Sequence, residues 1–188
     1  SCSLVGSEMC IRDRIKTAGP TFAGFANTEA CHYLVIEDSF PNGRPALDEG
    51  GVILCDRETA ERADTMKVTA CLNPLHTCLA VFGCLLGYDR IWKEMEDADL
   101  ASLVHHLGYD EDLPVVVDPK VIDPQAFIDE LTSERLVNKS LPDAPQRIAT
   151  DTSQKVAIRY GHTLNAYLAA GKDVSCLLYT SPSPRDCS

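Results

Sequence analysis

The run KVTACLNPLHTCLAVFG sets Lys67, Asn73 and His76 close together in the chain. A lysine ammonium that is partly desolvated loses its proton near neutral pH and acts as a general base. An asparagine amide and a neutral imidazole both donate hydrogen bonds to an oxygen that gains charge during reaction. The three groups converge only if the segment is bent. Each also has an ordinary reading, as a surface cation, a helix N-cap and a core histidine. A second group lies in RIATDTSQK, where Arg147 and Lys155 stand eight residues apart across a loop rich in Thr, Asp and Ser. Two such cations could clamp a polyhydroxylated or carboxylated substrate, the arginine as a planar fork and the lysine as a point charge.

The chain around these residues is acidic. Its 188 residues hold 17 Lys and Arg against 28 Asp and Glu, a net charge of −11. Such a surface repels phosphate backbones and anionic lipid, so neither a nucleic-acid nor a membrane partner is expected. The apolar run CLAVFGCLLGY (Cys78 to Tyr88) is too short to span a bilayer, which needs about 20 residues, and reads as a buried helix.

The two ends carry a different signal. LVGSEMCIRD (Leu4 to Asp13) and CLLYTSPSPRD (Cys176 to Asp186) can be encoded by opposite strands of one DNA segment. Folding has no reason to produce that relation, and the segment resembles the translated end of a transposase-based sequencing adapter. Residues 1–13 and 176–188 are therefore expected to be foreign, and residues 14–175 to be an internal fragment of a longer protein. Of the nine cysteines, Cys2, Cys10, Cys176 and Cys187 fall in these ends. The remaining Cys31, Cys55, Cys71, Cys78 and Cys84 are an odd set without short paired spacing, which suggests reduced thiols and a cytoplasmic setting. Cys71, His76, Cys78 and Cys84 lack the paired spacing of a zinc site and sit in an apolar run, so no metal is expected.

Extended structure comes first. HYLVIED (His32 to Asp38) and GVILC (Gly51 to Cys55) read as short strands about the turn FPNGRP. Helices follow: from Arg57 to about Ala70, from an Asn73-Pro74 cap to Leu86, from Asp97 to Gly108, and from an Asp123-Pro124 cap onward. PVVVDP (Pro114 to Pro119) reads as extended, and the polar loop NKSLPDAPQR leads to DTSQKVAIRY and a last helix, HTLNAYLAA, closed by Gly171. The expected fold class is mainly α, a helical C-terminal domain entered from the last strands of a truncated Rossmann-like α/β domain. The expected division places residues 14–56 in the end of that α/β domain and residues 57–175 in part of the helical one.

IEDSFPNGRP, the lysine followed by CLNPLHT and FGCLLGY, the loop PQRIATDTSQK and the ending AYLAAGKDVS together resemble the polyol-specific long-chain dehydrogenases, the mannitol dehydrogenase and fructuronate reductase family. The resemblance spans nearly all of residues 14–175. It implies a zinc-independent oxidation at carbon two of a sugar alcohol or aldonate, with NAD as cofactor and a small sugar or sugar acid as the partner. It matches Lys67 to the general base, Asn73 and His76 to groups that polarise the reacting oxygen, and Arg147 and Lys155 to substrate-binding cations. Asp64, three residues before Lys67 on the same helical face, is a candidate for proton relay with it.

Two features depart from the family pattern. The family commonly shows five steps from lysine to asparagine, with glycine next; here Lys67 to Asn73 is six steps with Pro74 next. The extra residue requires a bulge or local unwinding. The Asn-Pro-Leu-His form leans toward the fructuronate and mannonate enzymes. No glycine-rich nucleotide loop follows a strand in this sequence, so most of the NAD site is expected upstream. A non-catalytic helical interaction module is the competing reading. The isolated chain is therefore expected neither to bind NAD tightly nor to turn over; a measurable rate of fructuronate or fructose reduction by it overturns that expectation.

Overall fold

The computed structural model describes residues 34–174 and Leu177. Cys31, His32, Tyr33 and Ser175, and the terminal segments expected to be foreign apart from Leu177, lie outside the described residues. From Val35 onward the chain belongs to one unit.

β1 (Val35–Glu37) and β2 (Ile53–Cys55) form a parallel pair in the register Val35↔Ile53 and Glu37↔Cys55. Both strands come from the apolar runs that the sequence marks as extended. Between them Gly43, at φ 78°, donates its N–H to Phe40 O at 3.0 Å. Arg44 then bridges Asp38 at 2.8 Å and Asp48 at 2.9 Å, fastening the connection to the end of β1.

The helical part begins at Asp56, whose carboxylate accepts from Thr59 N at 2.7 Å and caps α1 (Arg57–Leu86). The sequence reading divides this stretch at Asn73. The structure does not: Leu72 and Asn73 are both helical, and no side chain caps there. The helix instead widens into a π-helical segment, Thr65–Leu72, at whose end Asn73 N–H reaches Val68 O, five residues back. Pro74 has no N–H to give and its ring crowds the carbonyl four residues earlier. A wider turn just before it lets the chain stay helical with one residue more per turn. The joined helix is long and apolar enough, by length and composition, to cross a membrane, which the separate pieces were not. Its Cys71, Leu75 and Leu79 are fully buried inside this fold, as in a core helix.

Shorter helices pack around α1. They are α2 (Ile91–Glu94), α3 (Ala98–His105), α4 (Pro124–Glu130), α5 (Pro145–Ile148), α6 (Thr152–Arg159) and α7 (Gly161–Ala169). Asp97 accepts from Asp99 N and Leu100 N, and Asp123 from Gln125 N and Ala126 N, as the cap signals predict. α3 does not stop at Gly108. It continues as a π-helical turn, His106–Asp112, and Gly108 is buried because a Cβ there would lie 3.3 Å from Ile128 Cγ2. The glycine serves close helix packing and not termination. PVVVDP pairs with no strand; it starts as a turn, with Val115 N and Val116 N both donating to Asp112 O. The core joins Leu75 and Leu79 of α1 to Ile91, Leu100, Val104 and Leu107. The protein is mainly α, with a single strand pair among the described residues.

One buried group is out of character. Glu94 is fully buried with neither carboxylate oxygen hydrogen-bonded, and its Oε1 lies where a Cβ on Gly83 would be, so Gly83 makes room for it. Burial pushes this carboxyl up to about 8. The folded state therefore keeps a proton that the unfolded chain releases near pH 4.5. Stability from this group is complete below that pH and is lost as pH rises toward 8. Thermal melts from pH 5 to 8.5 are expected to fall in Tm, and Glu94→Gln is expected to flatten the fall; an unchanged slope in the variant contradicts the assignment.

Candidate functional site

Lys67 lies in the π-helical segment of α1, half-buried, with its ammonium 5.9 Å from the centre of the Phe127 ring on α4. The ring is almost fully buried, and its face attracts the cation while limiting its water. Asp64, the last residue of the first segment of α1, is exposed. Asn73 is half-buried beside Pro74, whose carbonyl accepts from Tyr160 OH at 3.5 Å.

His76 faces the loop before α5. Its side chain is 12% exposed, and Nε2 stands 3.8 Å from Asp143 Oδ2. The same carboxylate takes Arg147 Nη2 at 3.3 Å on Oδ1 and Arg135 Nη2 at 3.7 Å on Oδ2. Lys155, on α6, donates to Ile148 O at 3.3 Å, beside Arg147 on α5. Arg159, one turn further along α6, donates to the buried Thr77 Oγ1 at 2.7 Å and so fastens α6 to α1.

The structure thus brings His76 and Arg147 to one carboxylate and sets Lys155 against the same short helix. Lys67 points toward α4, on the same helix as His76 but with a different partner. Burial is the main influence on His76 and lowers its pKa; Asp143 opposes this, while Arg159 and Arg147 add to it. At neutral pH the imidazole is uncharged, so one ring nitrogen donates and the other accepts. Such a ring suits polarising a reacting oxygen.

Asp143, Arg135 and Arg159 are absent from the sequence reading. Asp143 stands four residues before Arg147 and Arg159 four after Lys155, so i,i+4 spacing was the available signal. Cys71 and Cys78 are buried thiols, both pushed up to about 12 by burial, and Cys71 Sγ contacts Met66 Sδ at 3.9 Å. They pack as small hydrophobes.

The β2–α1 turn does not offer a free helix N-terminus to a pyrophosphate, since the Asp56 carboxylate accepts from Thr59 N there.

Residues 63–183 match the family model of the mannitol dehydrogenase C-terminal domain, a range that runs past Ser175 into the segment expected to be foreign. The chain is 59% identical over 147 residues to D-mannonate oxidoreductase of Thermotoga maritima, covering 77% of this chain and 27% of that protein. It is 32% identical to mannitol 2-dehydrogenase of Cereibacter sphaeroides, covering 73% of this chain and 28% of the relative. Among solved structures, Pseudomonas fluorescens mannitol 2-dehydrogenase, in ternary complex with NAD and D-mannitol, is similar with a TM-score of 0.62 and 28% identity over 74% of this chain and 27% of that one. The chain thus spans little more than a quarter of the length of these relatives.

His76 is expected to stay uncharged in the fold at pH values where an ordinary histidine takes up a proton, so that its contribution to stability is present above that range and is lost as pH falls. NMR titration of the His76 imidazole checks this; a midpoint at or above the usual histidine value contradicts it.

Proposed function

Because the chain belongs to the mannitol dehydrogenase family, we propose that it is part of an NAD-dependent oxidoreductase interconverting a keto sugar acid and its 2-hydroxy product. Fructuronate and mannonate are favoured over fructose and mannitol. The observation that carries this choice is the 59% identity to D-mannonate oxidoreductase of Thermotoga maritima, against 32% to mannitol 2-dehydrogenase of Cereibacter sphaeroides. The uncharged, largely buried His76 and the cations beside it support the same reading.

In this proposal Lys67 is the general base that takes the hydroxyl proton of the 2-hydroxy substrate, which makes the chemistry independent of zinc. Asn73 and His76 donate hydrogen bonds to the reacting oxygen as charge gathers on it. Arg147 offers its fork to the substrate carboxylate, and Lys155 adds a point charge beside it. Asp64 exchanges the base's proton with solvent. NAD is the hydride acceptor, its binding site lying largely outside this fragment. Residues 14–56 are assigned to the end of the nucleotide-binding domain and residues 57–175 to part of the substrate domain. The cytoplasm is the proposed location. A purely structural helical module is not favoured, since it gives no reason for His76 and Arg147 to meet at one carboxylate.

The test is a chimera in which the matched segment of this chain replaces the corresponding segment of the Thermotoga maritima relative. It is expected to oxidise mannonate with NAD at a higher kcat/KM than mannitol. Lys67→Ala is expected to lower kcat at least about 100-fold with the fold intact by circular dichroism. A chimera that prefers mannitol refutes the substrate assignment, and full activity in Lys67→Ala refutes the base.

A further inference from the structure

We propose that Asp143 is the positioning residue of the substrate-binding face, a shared carboxylate that sets the imidazole of His76 and the guanidinium of Arg147 at a fixed separation. The inference deepens the reading above and rests on it for the chemistry, though not for the geometry.

Asp143 lies between the two groups. One oxygen is 3.3 Å from Arg147 Nη2, and the other is 3.8 Å from His76 Nε2 and 3.7 Å from Arg135 Nη2. Its side chain is only 16% exposed, whereas that of Arg147 is 74% exposed. An arginine so exposed has wide rotamer freedom, and the less exposed carboxylate at its root limits where the fork can point. The carboxylate is itself held from behind. Asp143 O accepts from Ile91 N at 3.1 Å at the start of α2, and Gln146 Nε2 donates to Tyr88 O at 2.7 Å just before that helix. Two links thus pin the loop that carries Asp143 to the segment after α1. The position of Asp143 is thus set by links other than the groups it aligns.

The charge balance makes one anion necessary here. His76 is faced by Asp143 and Arg147 from α5 and its preceding loop, with Arg135 on the same carboxylate, and by Arg159 from α6. Lys155 and Tyr160 complete the side formed by α6 and the residue after it. Three guanidinium groups around a largely buried imidazole repel one another and disfavour any charge on the ring. Asp143 is the anion among these groups that offsets them. Without it Arg147 and Arg135 would separate, and the distance between the oxygen-polarising ring and the carboxylate-binding fork would no longer be defined. A substrate whose carboxylate is held by Arg147 and whose reacting oxygen is held by His76 needs that distance constant.

Asp143→Asn keeps the shape and removes the charge. In the 188-residue chain, NMR titration of His76 is expected to move to lower pH by about one pH unit, because an anion at ion-pair distance is lost. In the chimera, Asp143→Asn is expected to raise KM for mannonate about tenfold with a smaller change in kcat, and Asp143→Glu to recover part of the loss. If His76 titrates unchanged in Asp143→Asn while only Tm falls, Asp143 is merely structural and the proposal is overturned. If the parent chimera turns over but KM does not respond, the proposal is likewise overturned. If the parent chimera does not turn over, the proposed function fails, and the His76 titration still decides whether Asp143 sets the ring.

Discussion

Pro74 governs the arrangement of the site, because it sits in the middle of a helix that does not break. A proline there removes one backbone donor and crowds the carbonyl of residue 70. The chain answers with the π-helical segment Thr65–Leu72, in which hydrogen bonds reach one residue further back and the ladder loosens just ahead of the proline ring. A π turn takes in one extra residue with little extra rotation. The six steps from Lys67 to Asn73 therefore turn through roughly the angle that five steps cover on an ordinary α-helix. Lys67 thereby meets Phe127 and His76, nine residues on, meets Asp143. The same feature joins two expected helices into one, and the rest of the helical fold packs against that single rod.

Charge is distributed unevenly over the fold. The chain carries a net charge of −11, yet Arg135, Arg147, Lys155 and Arg159 gather near the second half of α1. An acidic protein with one cationic patch repels anions over most of its surface and accepts them at one place. The proposed sugar-acid substrate would be drawn to such a patch by its charge, whereas an uncharged polyol would not. Exposed ion pairs elsewhere, such as Arg57 with Glu61, add little to stability and define nothing comparable.

Much of the fold was legible in the sequence because local signals dominate it. Asp56, Asp97 and Asp123 cap helices through their own side chains, and Gly87 and Gly171 end helices with positive φ. The readings that failed are those where packing overrides local preference. Gly108 looks like a stop signal, but its missing Cβ admits Ile128 and Leu75. Asn73 and Pro74 look like a helix start, but the apolar residues on either side, Cys71 and Leu75, belong to one buried face and hold the helix together across them. For the site, the residue types of His76 and Arg147 were readable and their meeting at Asp143 was not, since that contact spans a long separation in sequence and depends on where the loop before α5 returns. Asp143 itself reads as a polar loop residue between prolines.

Two shielded carboxyl groups separate structure from chemistry in this molecule. Glu94 and Asp143 are both withdrawn from water, and they border the same part of the helical core through Ile91, which follows Arg90 into α2 and donates to Asp143 O. Asp143 has a histidine and two arginines within ion-pair distance, whereas both Glu94 oxygens lie buried without a hydrogen-bond partner among the described residues. Burial without compensation favours the neutral form, so Glu94 holds its proton and behaves as a polar filler against Gly83. A carboxyl that has lost its charge cannot orient a cation. A carboxylate surrounded by cations can, and the cost of desolvating it is offset by the groups it aligns. The difference is one of neighbours and not of residue type, which is why, of the chain's 28 Asp and Glu residues, Asp143 is the one proposed as the anchor of the substrate-binding face.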